Sequence, residues 1–159
     1  MYRIFTTIGL IWLLSLLLSG CSEDPANPEE RLRQTIAEAE ALLQARELSD
    51  ALDYVHPDYQ DKHGRDVRQL RALLTGYFLR HKSIHILSRI EQIDLTEDGG
   101  AHVLLFAGLA GSPQEGAVSL DQWRGDLLRL QLDFVQNGEQ EWLLRQAGWR
   151  RARPDDFIR

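Results

Sequence analysis

Apolar and polar positions alternate with two different periods along this chain, and the change of period divides it into halves. In the front half, Leu32, Ile36, Ala39 and Leu43 recur at spacings of four, three and four, which predicts a helix with one apolar stripe. Glu30, Arg33, Glu40 and Arg46 fall largely off that stripe. Asn27 before Pro28 supplies an N-cap and a first helical residue, and Glu29 and Glu30 place negative charge on the first turn, where the helix dipole favours it. Leu48, Ala51, Leu52 and Val55 suggest a second, short helix that Pro57 terminates. Asp66 caps a third, carrying Val67, Leu70, Leu73, Leu74, Tyr77 and Phe78 to about His81.

The back half has the period of a pleated sheet. Ile84, Ile86 and Ile90 open a strand, Glu97-Asp98-Gly99-Gly100 makes a turn, and an apolar strand follows from Ala101 to Leu109. Leu128, Leu130, Leu132 and Phe134 alternate with Arg129, Gln131 and Asp133, after which Asn137-Gly138 turns the chain into a last strand, Trp142 to Arg151. In that strand Trp142 and Leu144 share one parity and Trp149 has the other, so a bulge is expected, with Gly148 the residue that permits it. Helices first and an antiparallel meander afterwards give an α+β domain, with the N-terminal helices packed on one face of a curved antiparallel sheet.

Ahead of both halves stands a run without charge from Ile4 to Gly20, ending in Leu18-Ser19-Gly20-Cys21, with Arg3 before it and the polar Ser22-Glu23-Asp24-Pro25 after it. It is short for a bilayer span and lacks a basic stop-transfer flank. The tetrapeptide resembles the lipobox of a bacterial lipoprotein precursor. That resemblance implies cleavage before Cys21, lipid on its sulfur and amino group, and attachment to a membrane through two or more acyl chains, enough for a stable anchor. Ser22, where an aspartate would retain such a protein at the inner membrane, implies the periplasmic face of the outer membrane. The expected organisation is a signal peptide (1–20), a lipidated tether (21–28), one domain (29–153) and a tail (154–159).

Composition narrows the rest. With 43% hydrophobic and 26% charged residues the chain carries enough apolar surface for a globular core. A net charge of −6 argues against nucleic acid as a partner. The single cysteine, taken by lipid, leaves no disulfide. Because the strand Ala101 to Leu109 is apolar at both parities, both faces of the sheet are expected to be covered, by the chain itself or by a second copy or an envelope protein.

The order of elements, the segment Tyr54-Val55-His56-Pro57-Asp58-Tyr59 on the second helix, and the closing Trp142-Leu143-Leu144-Arg145-Gln146-Ala147-Gly148-Trp149-Arg150-Arg151 resemble the nuclear-transport-factor-2-like (SnoaL-like, ketosteroid-isomerase-like) superfamily. The resemblance implies a cone of helices and concave sheet around a hydrophobic cavity, a fold that serves enzymes, binding proteins and scaffolds alike. Candidate cavity residues are Tyr59, Tyr77, His85, His102 and Trp123, the last in a loop, Gly111 to Gly125, expected over the cavity mouth. No catalytic residue is assigned: Asp94 and Asp133, the strand carboxylates that an isomerase would need buried, are expected to face water. His81 and His85 are four apart but straddle a helix end, and Tyr54 to His63, with His56, Asp58 and Asp61, reads as a solvated turn anchored by Tyr59, so no metal and no cofactor is expected. The reading is a lipid-anchored, non-catalytic module for a small apolar ligand or an envelope partner; the alternative is an isomerase or dehydratase using the same cavity.

Overall fold

The structure is a computed structural model and describes residues 27–111, 125–153 and 156. The leader, Cys21 and Trp123 lie outside the described residues. Helix α1 (Pro28–Ala45) begins as its sequence predicts: the Asn27 side chain accepts from the Glu29 N–H at 3.1 Å, and Pro28 occupies the first position, where a missing N–H is harmless. Leu32 and Ile36 are its buried residues, and the Trp142 indole donates to the Pro28 carbonyl at 3.0 Å, tying the helix start to the sheet.

Helix α2 (Leu48–Ala51) is a single turn continued by a 3-10 turn, Leu52–Tyr54. The next segment corrects the sequence reading. Instead of a solvated turn, Val55–Asp61 is a strand, β1, pairing in parallel with the last strand of the sheet. Its polar composition hid it. As an edge strand it tolerates Pro57, the register is irregular between Val55 and Gln60, and only its last three residues, Tyr59 buried, Gln60 exposed and Asp61 buried, show the alternation of a half-buried strand.

Helix α3 (Val67–Arg80) opens with a full capping box: Asp66 accepts from the Gln69 N–H at 2.8 Å while the Gln69 side chain accepts from the Asp66 N–H at 3.0 Å. Its far end is closed from outside, where the Arg46 guanidinium donates to the carbonyls of Phe78 at 2.9 Å and His81 at 2.6 Å and lies over the Phe78 ring.

Strands β2 (His85–Leu95), β3 (Gly100–Ala110), β4 (Asp126–Gln136) and β5 (Trp142–Arg151) form the antiparallel meander, and the sheet order is β1-β5-β4-β3-β2. Gly99, at φ 80°, makes the β2–β3 turn. Two bulges add to the coiling of the sheet. Ile90 pairs with Leu105 and Gln92 with Leu104, so Glu91 is extra in β2; Asp133 pairs with Gln146 and Phe134 with Leu144, so Arg145 is extra in β5. The bulge expected from the tryptophan parities is therefore present, but at Arg145. Gly148 pairs regularly with Gln131, and a Cβ there would sit 3.6 Å from the Lys62 chain.

One core joins the layers, built from Leu32 and Ile36 of α1, Tyr59 of β1, and inward residues of β3 to β5 such as Val103, Leu105, Phe134, Trp142 and Ala147. Every described residue of this core lies beyond the leader.

Candidate functional site

Strand parity decides which side chains reach the concave face. Ile84 and Ile86, Leu105 and Ala107, Leu128 to Phe134 at alternate positions, Leu144 before the β5 bulge, and Ala147 and Trp149 beyond it all point between sheet and helices, where they line a cavity of about 330 Å³. Helix α1 contributes Ile36, Ala39 and Leu43, and α3 contributes Leu70, Leu73, Leu74, Tyr77 and Phe78. The inner face of α3 is only half-buried, and no residue of that helix is fully buried, because the helix roofs open space rather than packed side chains.

Of the residues singled out in the sequence, Tyr59 and Tyr77 line this cavity. His85 and His102 do not, and parity is the reason. His85 stands between the inward Ile84 and Ile86 and so lies on the convex face opposite Ala110, where its Nε2 is buried without a hydrogen-bond partner. His102 is also convex: its side chain is 64% exposed, and its Nδ1 lies 2.7 Å from Asp133 Oδ1. The hydrogen bond and charge of Asp133 raise the His102 pKa above its ordinary value. Asp94 is exposed as well.

Few groups in the cavity wall are polar. Tyr59 is 1% exposed, and its hydroxyl has no hydrogen-bond partner. Burial, then the nearby Asp61 carboxylate, push its pKa up to about 12 against a smaller opposing effect of Arg65. Burial and, more weakly, Asp126 also raise Tyr77. Glu40 is the one carboxylate in the described wall. The sequence pattern missed it. It follows Ile36 by one helical turn and so shares the inner face, where burial raises its pKa while a hydrogen bond from Ser88 opposes the shift.

The floor beside Tyr59 is held by a closed loop. Asp61, the buried charged residue of the core, accepts from the His63 N–H at 2.7 Å and the Arg65 N–H at 3.0 Å, and pairs with the Arg65 guanidinium. Burial alone would raise its carboxyl, but these hydrogen bonds outweigh it and leave the pKa lowered. Arg65 then lies over the Trp149 ring, 4.9 Å from its centroid, and the Lys62 ammonium reaches the Trp149 carbonyl. The Asp61 carboxylate is thus engaged within the loop, and among the described residues no group of three or more histidines, cysteines or carboxylates could hold a metal.

A wider cleft of about 560 Å³ lies outside the cone, between Arg31, Glu38, Asp53 and Glu141, with Tyr54 donating to Glu38 at 2.9 Å. Its carboxylates are exposed and its hydroxyl is satisfied, although the Arg31 Nε is buried there without a partner. The smaller apolar cavity, with an unsatisfied buried donor, is the better ligand site.

No family model matches the sequence, and neither does a curated relative. Solved structures do match in shape. Aln2 from a Streptomyces species is similar with a TM-score of 0.63 at 11% identity, over 82% of this chain and 92% of that one. An NTF-2-like protein of unknown function from Pseudomonas aeruginosa matches with a TM-score of 0.59 at 12% identity, over 77% of this chain and 99% of that one. A protein from Catenulispora acidiphila in complex with S-DNPA matches with a TM-score of 0.57 at 14% identity, over 77% and 92%. Identities this low speak to architecture alone. Helices closing a coiled five-stranded sheet, in an arrangement these structures share, give the chain the nuclear-transport-factor-2-like fold.

Proposed function

We propose that this protein is a lipid-anchored binding module of the bacterial periplasm, held to the outer membrane through Cys21, whose cavity takes a small apolar ligand carrying one hydrogen-bond acceptor. The observation that carries the reading is Tyr59, which lines a largely apolar cavity of about 330 Å³ and whose hydroxyl is fully buried and unpartnered. A buried hydroxyl without a partner costs about 1–3 kcal/mol, which a ligand carbonyl or ether oxygen placed against it would recover. The cavity volume falls at the lower end of the range that holds small organic ligands, roughly 300–1,000 Å³. The anchor rests on the sequence Leu18-Ser19-Gly20-Cys21.

Native mass spectrometry of protein extracted from membranes in mild detergent tests both parts. The expected result is a chain beginning at a lipidated Cys21, with an apolar small molecule that leaves on denaturation. An intact leader with a bare thiol refutes the anchor. A cavity that neither retains a molecule nor admits an apolar fluorescent probe refutes the binding role.

One observation favours an enzyme instead: Glu40, a carboxyl raised by burial in the cavity wall, is the kind of group an isomerase or dehydratase uses to move a proton. Its hydrogen-bond partner is Ser88 rather than a second acid or base. The substitution Glu40→Gln separates the readings, since a binding module keeps its affinity for a neutral ligand while a proton-transfer enzyme loses turnover.

A further inference from the structure

We propose that α3 is a membrane-docking helix, bringing the mouth of the cavity against an anionic lipid surface. This goes beyond the binding role and does not depend on the anchor. The chain is acidic overall, yet the 24 residues between Asp66 and Glu91 contain no carboxylate and hold Arg68, Arg71, Arg80, Lys82 and Arg89. Among the described residues, no ion pair engages Arg68, Arg71, Arg80 or Lys82. Asp126, the carboxylate whose field is felt at Tyr77, is bound to Arg151 at 3.0 Å. The outer surface of α3 is thus a positive field on a negative protein, complementary to anionic headgroups and repelled from this chain's own acidic surfaces.

Apolar groups lie on the same element. Leu79, 83% exposed, is the most exposed large apolar side chain described, and it follows Thr75 by one helical turn on the face that also bears Arg68 and Arg71. Leu73, 40% exposed, is the one exposed residue among those lining the cavity, so the rim of the cavity is formed by this helix. A single exposed leucine on a globular protein is ordinary. Here it stands on the outer face of a helix with Arg71 and Arg80 to either side, a lone apolar anchor flanked by cations whose long stems can reach headgroups. Docked in this way, Leu79 enters the acyl boundary, Arg71 and Arg80, which flank it on either side of the helix, meet phosphates, and the cavity rim at Leu73 lies to one side near the headgroups.

The test uses the chain from Ser22 to Arg159, which has every described core residue and neither leader nor Cys21 and whose folding is checked by a cooperative thermal melt, in cosedimentation with vesicles of phosphatidylglycerol mixed into phosphatidylcholine and with vesicles of phosphatidylcholine alone. Binding is expected to the anionic vesicles and not to the neutral ones. Arg71→Gln combined with Arg80→Gln is expected to weaken it roughly 25-fold, each cation at such a surface contributing about fivefold. Leu79→Ser weakens it further, while Arg145→Gln, an exposed cation on the β5 bulge, changes it less than twofold, about the resolution of the measurement for a charge off the docking face. Failure to bind anionic vesicles, equal binding to neutral ones, or an Arg145→Gln effect as large as that of the α3 pair would overturn the proposal. A salt titration of the unsubstituted chain reads the same contact without any variant: at about 1 M salt the screening length falls to about 3 Å, and binding that persists undiminished also overturns it.

Discussion

Replacing Tyr59 by phenylalanine removes one oxygen, and the structure predicts that the ligand-free protein becomes more stable. In the wild type that oxygen is shut away from water with no partner, in a residue 1% exposed. The unfolded chain solvates it fully, so folding forfeits its hydrogen bond to water and gains none, a loss of about 1–3 kcal/mol. Phenylalanine keeps the ring and its packing against the core. Taking about 2 kcal/mol, and a shift of roughly 3–5 °C per kcal/mol for a domain of this size, the melting temperature of the empty protein should rise by roughly 6–10 °C.

A pH titration gives the same prediction a second, independent readout. The Tyr59 pKa is pushed up to about 12 in the folded state, while an unfolded tyrosine ionises near 10. Between these values the unfolded chain sheds a proton that the folded protein keeps, so wild-type stability is present below pH 10 and falls as pH climbs toward 12. Tyr59→Phe has no such proton, and its advantage should widen over that window. Chemical denaturation of both proteins at pH 7, 10 and 11.5, after extraction of any bound molecule, measures both effects. A variant less stable than wild type at pH 7, or an advantage that is flat with pH, would show that the hydroxyl already has a partner and that the carrying observation fails. With ligand in excess the advantage should shrink by about 1.4 kcal/mol, since the variant lacks the donor and binds about tenfold more weakly.

Two further outcomes follow from the same geometry. Asp61→Asn should destabilise the domain by about 2 kcal/mol, because it weakens hydrogen bonds that are charge-assisted, discounted for a partner, Arg65, that is itself 30% exposed. The Asp61 pKa is lowered on folding, so its contribution is present above about pH 4 and lost as pH falls through the folded value. Thermal melts of the pair should therefore converge in acid, and a constant gap from pH 7 to pH 3 would refute the assignment. Ala107→Leu, at a cavity-wall position 5% exposed, should place three carbons in the void, stabilise the empty protein by about 2 kcal/mol and exclude the ligand. Melting curves with and without an apolar probe check both signs, and a destabilised variant would mean that the wall is already close-packed.

How much of this was legible in the sequence depended on where the period of burial held. Helices α1 and α3 carried both a stripe and caps, Asn27-Pro28 and Asp66 with Gln69, so their starts could be read directly. The meander was legible because Leu128 to Phe134 alternate without interruption. Strand β1 was not, since an edge strand is stabilised by its pairing with β5 rather than by its own apolar content, and Val55-His56-Pro57-Asp58 looks like a turn to any local rule. The bulge was legible from the parity of three aromatic and aliphatic residues, but its position was not: glycine suggested Gly148, whereas the extra residue is Arg145, whose exposed side chain needs no inward place. For the site, parity was again the usable signal. Applied residue by residue it would have excluded His85, next to the inward Ile84, and His102, next to the inward Val103, and helical spacing from Ile36 would have marked Glu40. Residue chemistry alone had favoured the histidines over the carboxylate.

The cavity itself bears on why such a protein would carry an unsatisfied tyrosine at all. At about 24 cal/mol per Å³, a dry void of about 330 Å³ would forfeit roughly 8 kcal/mol of cohesion, comparable with the whole stability of a typical domain, about 5–15 kcal/mol. The half-buried inner face of α3 and the exposed Leu73 show that this void reaches solvent, so the loss is smaller, yet the sign stands. Enlarging Ala107 or deleting the Tyr59 hydroxyl would recover part of it in a single step. A fold that keeps a small residue facing a void and a donor facing nothing has its stability set by what enters: a ligand present at a hundred times its dissociation constant adds about 2.7 kcal/mol to the folded state. Structural economy would fill this space, whereas a binding role requires that it stay open and that its one buried donor remain unspent.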